Sequence, residues 1–125
     1  MAVHKSLVLV LDSAEPMELA DFYAGLLGAE VRPGQGGDYV EVVGEAGVHL
    51  AIRRDHGYAP PSWPRPDDAQ QAHVLVRVAR EDMDEAEREA IGLGATPVEA
   101  RDNGGRNDTR HYADPAGHGF AMTAV

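Results

Sequence analysis

Apolar positions along the chain follow two rhythms, a period of two and a period of about 3.6, and the change from one to the other occurs twice. Residues 7–11 are aliphatic throughout and predict a strand, closed by Asp12-Ser13, whose short polar side chains suit a strand exit or a helix cap. Leu19, Phe22, Tyr23, Leu26 and Leu27 then recur at helical spacing within residues 15–27, with Pro16 in the tolerated first turn and Gly28 as the stop. Short extended pieces at 30–32, 39–43 and 48–53, separated by turn clusters at 33–37 and 44–47, read as a three-strand meander. The pattern restarts with a strand at 73–78 and an acidic amphipathic helix at 81–93 ended by Gly94. Strands at 96–100, 109–113 and 120–124 follow, with turns at Asn103-Gly104-Gly105 and Asp114-Pro115-Ala116-Gly117.

Each half therefore reads βαβββ, and Leu27-Gly28-Ala29 and Leu93-Gly94-Ala95 close the two helices alike. Between the halves, residues 55–69 carry Pro60, Pro61, Pro64 and Pro66 around Trp63 and cannot supply a regular hydrogen-bond ladder. This divides one domain into a first module at about 1–58, a crossing at about 59–69 and a second module at about 70–125. Sorting alternate strand residues gives one aliphatic surface of Leu7, Leu9, Leu11, Val40, Val42, Val48, Leu50, Ile52, Val74, Val76 and Val78, which the two helices are expected to cover. The opposite face carries Val8, Val10, Asp12, Tyr39, Glu41, His49, Ala51, Arg53, His73, Leu75, Arg77, Ala121 and Thr123. It reads either as an ordinary wet sheet face or as the polar lining of a small-molecule cavity.

Composition narrows the function classes. With 43% hydrophobic and 26% charged residues the chain has the balance of a folded domain rather than a disordered one. The absence of cysteine excludes disulfides, thiolate metal sites and a cysteine nucleophile. No apolar run reaches the ~18 residues of a spanning helix and no leader pattern opens the chain, so a cytoplasmic location is expected. The formal charge of −10 lacks any Lys/Arg stripe, which argues against nucleic acid and anionic membrane as partners. The acidity either favours a cationic ligand or simply aids solubility. No Gly-x-Ser-x-Gly elbow and no phosphate-binding loop is present.

The stretches Leu11-Asp12-Ser13-Ala14-Glu15-Pro16, Leu19-Ala20-Asp21-Phe22-Tyr23, Pro60-Pro61-Ser62-Trp63-Pro64, Gln71-Ala72-His73-Val74 and Asp114-Pro115-Ala116-Gly117-His118, taken in order, resemble the glyoxalase/bleomycin resistance/dioxygenase (vicinal oxygen chelate) superfamily. The resemblance implies an α+β fold of two tandem βαβββ modules, a curved mixed sheet around a cavity with helices on its convex side, and a homodimer. It also implies a divalent ion, with His or Glu ligands from the first and fourth strands of each half. Those positions fall at Val8, Ala51, His73 and Ala121, so one donor of four remains. A lone imidazole cannot hold such an ion among methyl groups, and no metal cofactor is expected. An irregular site of Glu41, His49 and His73 is the fallback for Zn, Ni, Fe or Mn.

The candidate ligand-binding residues are Tyr39, Glu41, His49, Arg53, Trp63, His73 and Arg77. His73 is also the candidate acid or base. Arg53 and Arg77 either clamp a carboxylate or phosphate or pair with Glu41 or Asp12. Trp63 and Tyr58 either lid the cavity or staple the crossing to the sheet. His4, His56 and His118 receive no role. The leading expectation is a metal-independent binder of a small organic molecule. A metal-dependent lyase, isomerase or dioxygenase and a dimeric interaction module without a ligand are the alternatives.

Overall fold

The structure is a computed structural model that describes residues 3, 5–45, 47–60, 72–98 and 108–125. The chain divides into two compact units, Met1–Tyr58 and Ala59–Val125. The first contains β1 (Leu9–Ser13), α1 (Pro16–Leu27), β2 (Glu30–Pro33), β3 (Tyr39–Gly44) and β4 (Gly47–Arg54). Its sheet runs β1-β4-β3-β2, with β1 parallel to β4 and the other pairs antiparallel. Gly28 takes the left-handed conformation (φ 65°) that ends α1, and the Ala29 amide donates back to the Ala24 carbonyl at 2.9 Å. Leu19, Ala20, Phe22 and Tyr23 of α1 and Val40, Val42, Leu50 and Ile52 of β3 and β4 are all at most 3% exposed. Each of the larger ones contributes about 1.5–3 kcal/mol by leaving water.

The second unit contains β5 (Val74–Val78), α2 (Met83–Leu93), β6 (Thr96–Val98), β7 (Thr109–Ala113) and β8 (Gly119–Ala124), ordered β5-β8-β7-β6. Its one parallel pair is again the first strand with the last. Tyr112 and Phe120 stack with ring centroids 5.2 Å apart, and Met83, Ala90 and Met122 are buried with them. In the β7–β8 turn the buried Asp114 accepts from the Ala116 and His118 amides at 2.9 and 3.0 Å. Among the described residues no helix is long and apolar enough to cross a membrane.

The fold class is the expected α+β one, and hydrogen bonding groups the strands as two four-stranded sheets, one in each unit. The first strand lies two residues later than its aliphatic run, because its parallel ladder runs from Leu9 opposite Leu50 to Ser13 opposite Arg54. Leu7 and Leu9 are consequently 95% and 45% exposed and do not join the core. Ser13 acts before α1 rather than as its cap, its hydroxyl accepting from the Glu15 amide at 3.0 Å. In the second unit Val74, Val76 and Val78 are only half-buried; the bulk of that core comes from Tyr112, Phe120 and Met122 on the neighbouring strands. A 3-10 turn at Arg80–Asp82 precedes α2, which begins at Met83 rather than at residue 81. The Val48 side chain, the crossing from residue 61 on, and residues 99–107 with the expected Asn103-Gly104-Gly105 turn lie outside the described set.

Candidate functional site

In each unit one sheet face is occupied by the helix, and the other carries most of the polar candidates. In the first unit the ladder sets Asp12, Arg53 and Tyr39 side by side on β1, β4 and β3. The Arg53 Nε donates to the Asp12 carboxylate at 2.9 Å, so the pairing alternative holds for this arginine. Glu41 stands in the next row, between Ala51 and Arg32. His49 occupies the irregularity where Val42 pairs with Leu50 and Val43 with Val48. Its imidazole lies against Gly44, in the space a Cβ there would fill.

In the second unit the helix side is identified by two contacts to α2: Arg110 donates to Asp84 at 3.0 Å and Tyr112 donates to Glu87 at 2.6 Å. By alternation the other face carries Leu75 and Arg77 of β5, Ala121 and Thr123 of β8, and Thr109 and His111 of β7. Rows across the strands are Arg77–Thr123–Thr109 and Leu75–Ala121–His111. His73, one residue before β5, continues the same alternation and is exposed. The hydroxyls of Thr109 and Thr123 are 2.7 Å apart. Burial, and after it the charge of His73, lowers the pKa of the half-buried His111 below the usual imidazole value.

His111 is absent from the residues chosen on sequence. It lies in a period-two stretch, Thr109–Ala113, but its face follows only from its pairing with Ala121, which no local pattern announces. Trp63 falls outside the described residues, and Tyr58 closes a turn through its amide to the Asp55 carbonyl at 3.0 Å.

On the helix side of the same unit Arg110 meets Asp108 at 2.8 Å, Asp84 at 3.0 Å and Glu87 at 3.5 Å. The Arg110 hydrogen bond holds the Asp108 carboxyl below the usual carboxylate range, and burial pushes the Tyr112 phenol up. An open depression of about 510 Å³ is lined here by Glu87, Pro97, Val98 and residues of β7. It includes side chains from both faces of β7, Arg110 and Tyr112 as well as Thr109 and His111, and so is a notch at the sheet edge rather than a recess in one face.

The divalent ion implied by the resemblance does not fit the donors present. Ala51 and Ala121 are 0% exposed, packed by their neighbours, and Val8 offers no lone pair. Among the described residues no three His, Cys, Asp or Glu side chains gather in a group able to hold a metal.

The glyoxalase-like domain family matches residues 8–123 of the chain. The structure is similar to a hypothetical protein from S. aureus, with a TM-score of 0.72, 13% identity, and 99% of this chain and 100% of that one covered. It is similar to a mutant of the fosfomycin resistance protein FosX from Listeria monocytogenes, complexed with Mn(II) and 1S,2S-dihydroxypropylphosphonic acid, with a TM-score of 0.71, 15% identity, and 98% and 91% covered. A glyoxalase/dioxygenase from Nostoc punctiforme gives a TM-score of 0.69 at 14% identity, with 98% of each chain covered. Likeness at such identity concerns the fold alone. A comparison with curated proteins found no match.

Proposed function

The chain belongs to the glyoxalase-like domain family of the vicinal oxygen chelate superfamily, and from that premise we propose that it binds a small organic ligand without a metal, on the helix-free face of the second unit. The observation that carries this reading is a packed alanine at each of two chelating positions the resemblance implies, Ala51 in the first unit and Ala121 in the second, the latter on a face that keeps His73, Arg77, Thr109, His111 and Thr123. A buried methyl leaves neither a lone pair nor room for an ion, whereas imidazole, guanidinium and hydroxyl groups suit direct recognition of an organic molecule. His73 is the group on this face that would contact the ligand in its own right. A homodimer is proposed from the resemblance.

A second reading, a metal-dependent lyase, isomerase or dioxygenase using Glu41, His49 and His73, is favoured by the Mn(II) bound in the FosX relative. The seat of His49 over Gly44 weighs against it. Elemental analysis of the purified chain and calorimetric titration with Zn(II), Ni(II), Fe(II) and Mn(II) separate the two. The expected result is no stoichiometric metal and no saturable heat. Tight one-to-one binding abolished by His73→Ala would instead overturn the metal-free reading. A thermal-shift screen tests binding itself, because a ligand at 100 times its Kd stabilises the fold by roughly 2.7 kcal/mol.

A further inference from the structure

We infer that the ligand of this face carries an anionic oxygen group, a carboxylate or a phosphonate, and that Arg77 selects it; the inference rests on the ligand-binding reading above. The arginines of the helix-free faces differ in what stands beside them. Arg53 is tied to Asp12 at 2.9 Å, and Arg32 stands opposite Glu41 in its ladder. Arg77 stands opposite Thr123, and among the described residues it has no ion pair. Its guanidinium presents N–H donors in a fork and no acceptor, so the complement it lacks is a pair of acceptor oxygens.

The row it stands in supplies a further donor. In the Thr109–Thr123 hydroxyl pair, 2.7 Å apart, one proton is used between the two oxygens and the other O–H is spare. Arg77, Thr123 and Thr109 lie in register on three adjacent strands, about 4.8 Å apart from strand to strand, and the row contains no carboxylate. One oxyanion can therefore accept from the guanidinium and a threonine hydroxyl together. Leu75, one step along the same face of β5, is 50% exposed and gives the rest of an organic molecule an apolar contact. His73 stands one step further. The recognised molecule thus combines an anionic head with a small apolar body.

The chain's formal charge of −10 opposes anions only at long range. At physiological ionic strength that field is screened beyond about 8 Å, and the adjacent guanidinium decides the local preference.

Matched probes test the inference: 3-phenylpropionate, 2-phenylethylphosphonate and the neutral 3-phenylpropionamide, each titrated into ¹⁵N-labelled protein. The expected result is shifts confined to β5, β7 and β8, with at least one of the two anions bound about tenfold tighter than the amide. Arg77→Gln should remove most of the preference for that anion over the amide, and Arg77→Lys should retain part of it because only the fork is lost. Comparing the two anions tells planar from tetrahedral heads. Equal binding of amide and anions on the same strands, or a preference that survives Arg77→Gln, overturns the anion inference while the ligand face stands. No shift on β5, β7 or β8 with any probe overturns both.

Discussion

His111 shows how much of a site depends on one residue's surroundings. Its imidazole is half-buried on the face that also carries His73, and burial together with the charge of His73 lowers its pKa. The folded chain thus releases this proton at a lower pH than the unfolded chain does. His111 adds stability that is fully present above the unfolded value of about 6.5 and is lost as pH falls through the folded value. NMR titration should find His111 below the ordinary imidazole range, and His73→Gln should raise it only part of the way, since burial is the larger cause. A His111 titration that is unchanged in His73→Gln would remove the electrostatic link between the two residues. His73 and Arg77 were legible because the face of β5 follows from alternation within one strand. His111 was not, because its face depends on pairing with β8. His49 was legible as a polar residue, but an irregularity in the β3–β4 pairing sets its ring against Gly44.

At the scale of elements, α2 and β7 are joined by polar contacts. Tyr112 donates to the Glu87 carboxylate at 2.6 Å. Tyr112→Phe leaves the Phe120 stacking in place and removes this bond, at an expected cost of about 1–2 kcal/mol. The check is a double-mutant cycle with Glu87→Gln in urea denaturation; additive effects would show that the pair is not coupled. In the β2–β3 connection a Cβ on Gly34 would stand 2.9 Å from the Tyr39 carbonyl oxygen, which also accepts from the Gly34 amide at 2.8 Å. Gly34→Ala must open that connection and should cost about 1–3 kcal/mol. A neutral Gly34→Ala in the same denaturation assay would mean that the turn yields freely. The elements of the first unit were legible because α1 and its sheet share one apolar stripe. The core of the second was less so, since α2 is acidic and the missing bulk comes from aromatic and methionine side chains across the sheet.

Both units place their strands in corresponding order, β1-β4-β3-β2 and β5-β8-β7-β6, each with one parallel pair between its first and last strands. That repetition was legible because duplicated apolar rhythm imposes duplicated layers. A partner for the helix-free face of the second unit was not legible, because alternation assigns side chains to a face without naming what meets them. Charge acts on the chain as a whole, and it gives the remaining prediction. Twenty-one acidic residues face eleven basic ones, and several of the basic ones are already engaged: Arg53 with Asp12, Arg54 with Asp38, Arg88 with Glu85, and Arg110 with three carboxylates. Exposed pairs of this kind contribute about 0–1 kcal/mol each and weaken as salt is added. The surplus carboxylates repel one another throughout the chain, and salt relieves that repulsion too. With ten negative charges in excess, relief should dominate, so Tm near neutral pH should rise by a few degrees between about 20 and 300 mM NaCl. Calorimetry in NaCl and KCl, which screen alike and differ only in the cation, measures the sign. A Tm that falls with either salt would mean that the local pairs outweigh the net charge, with the Arg110 cluster the first to remove by Arg110→Gln.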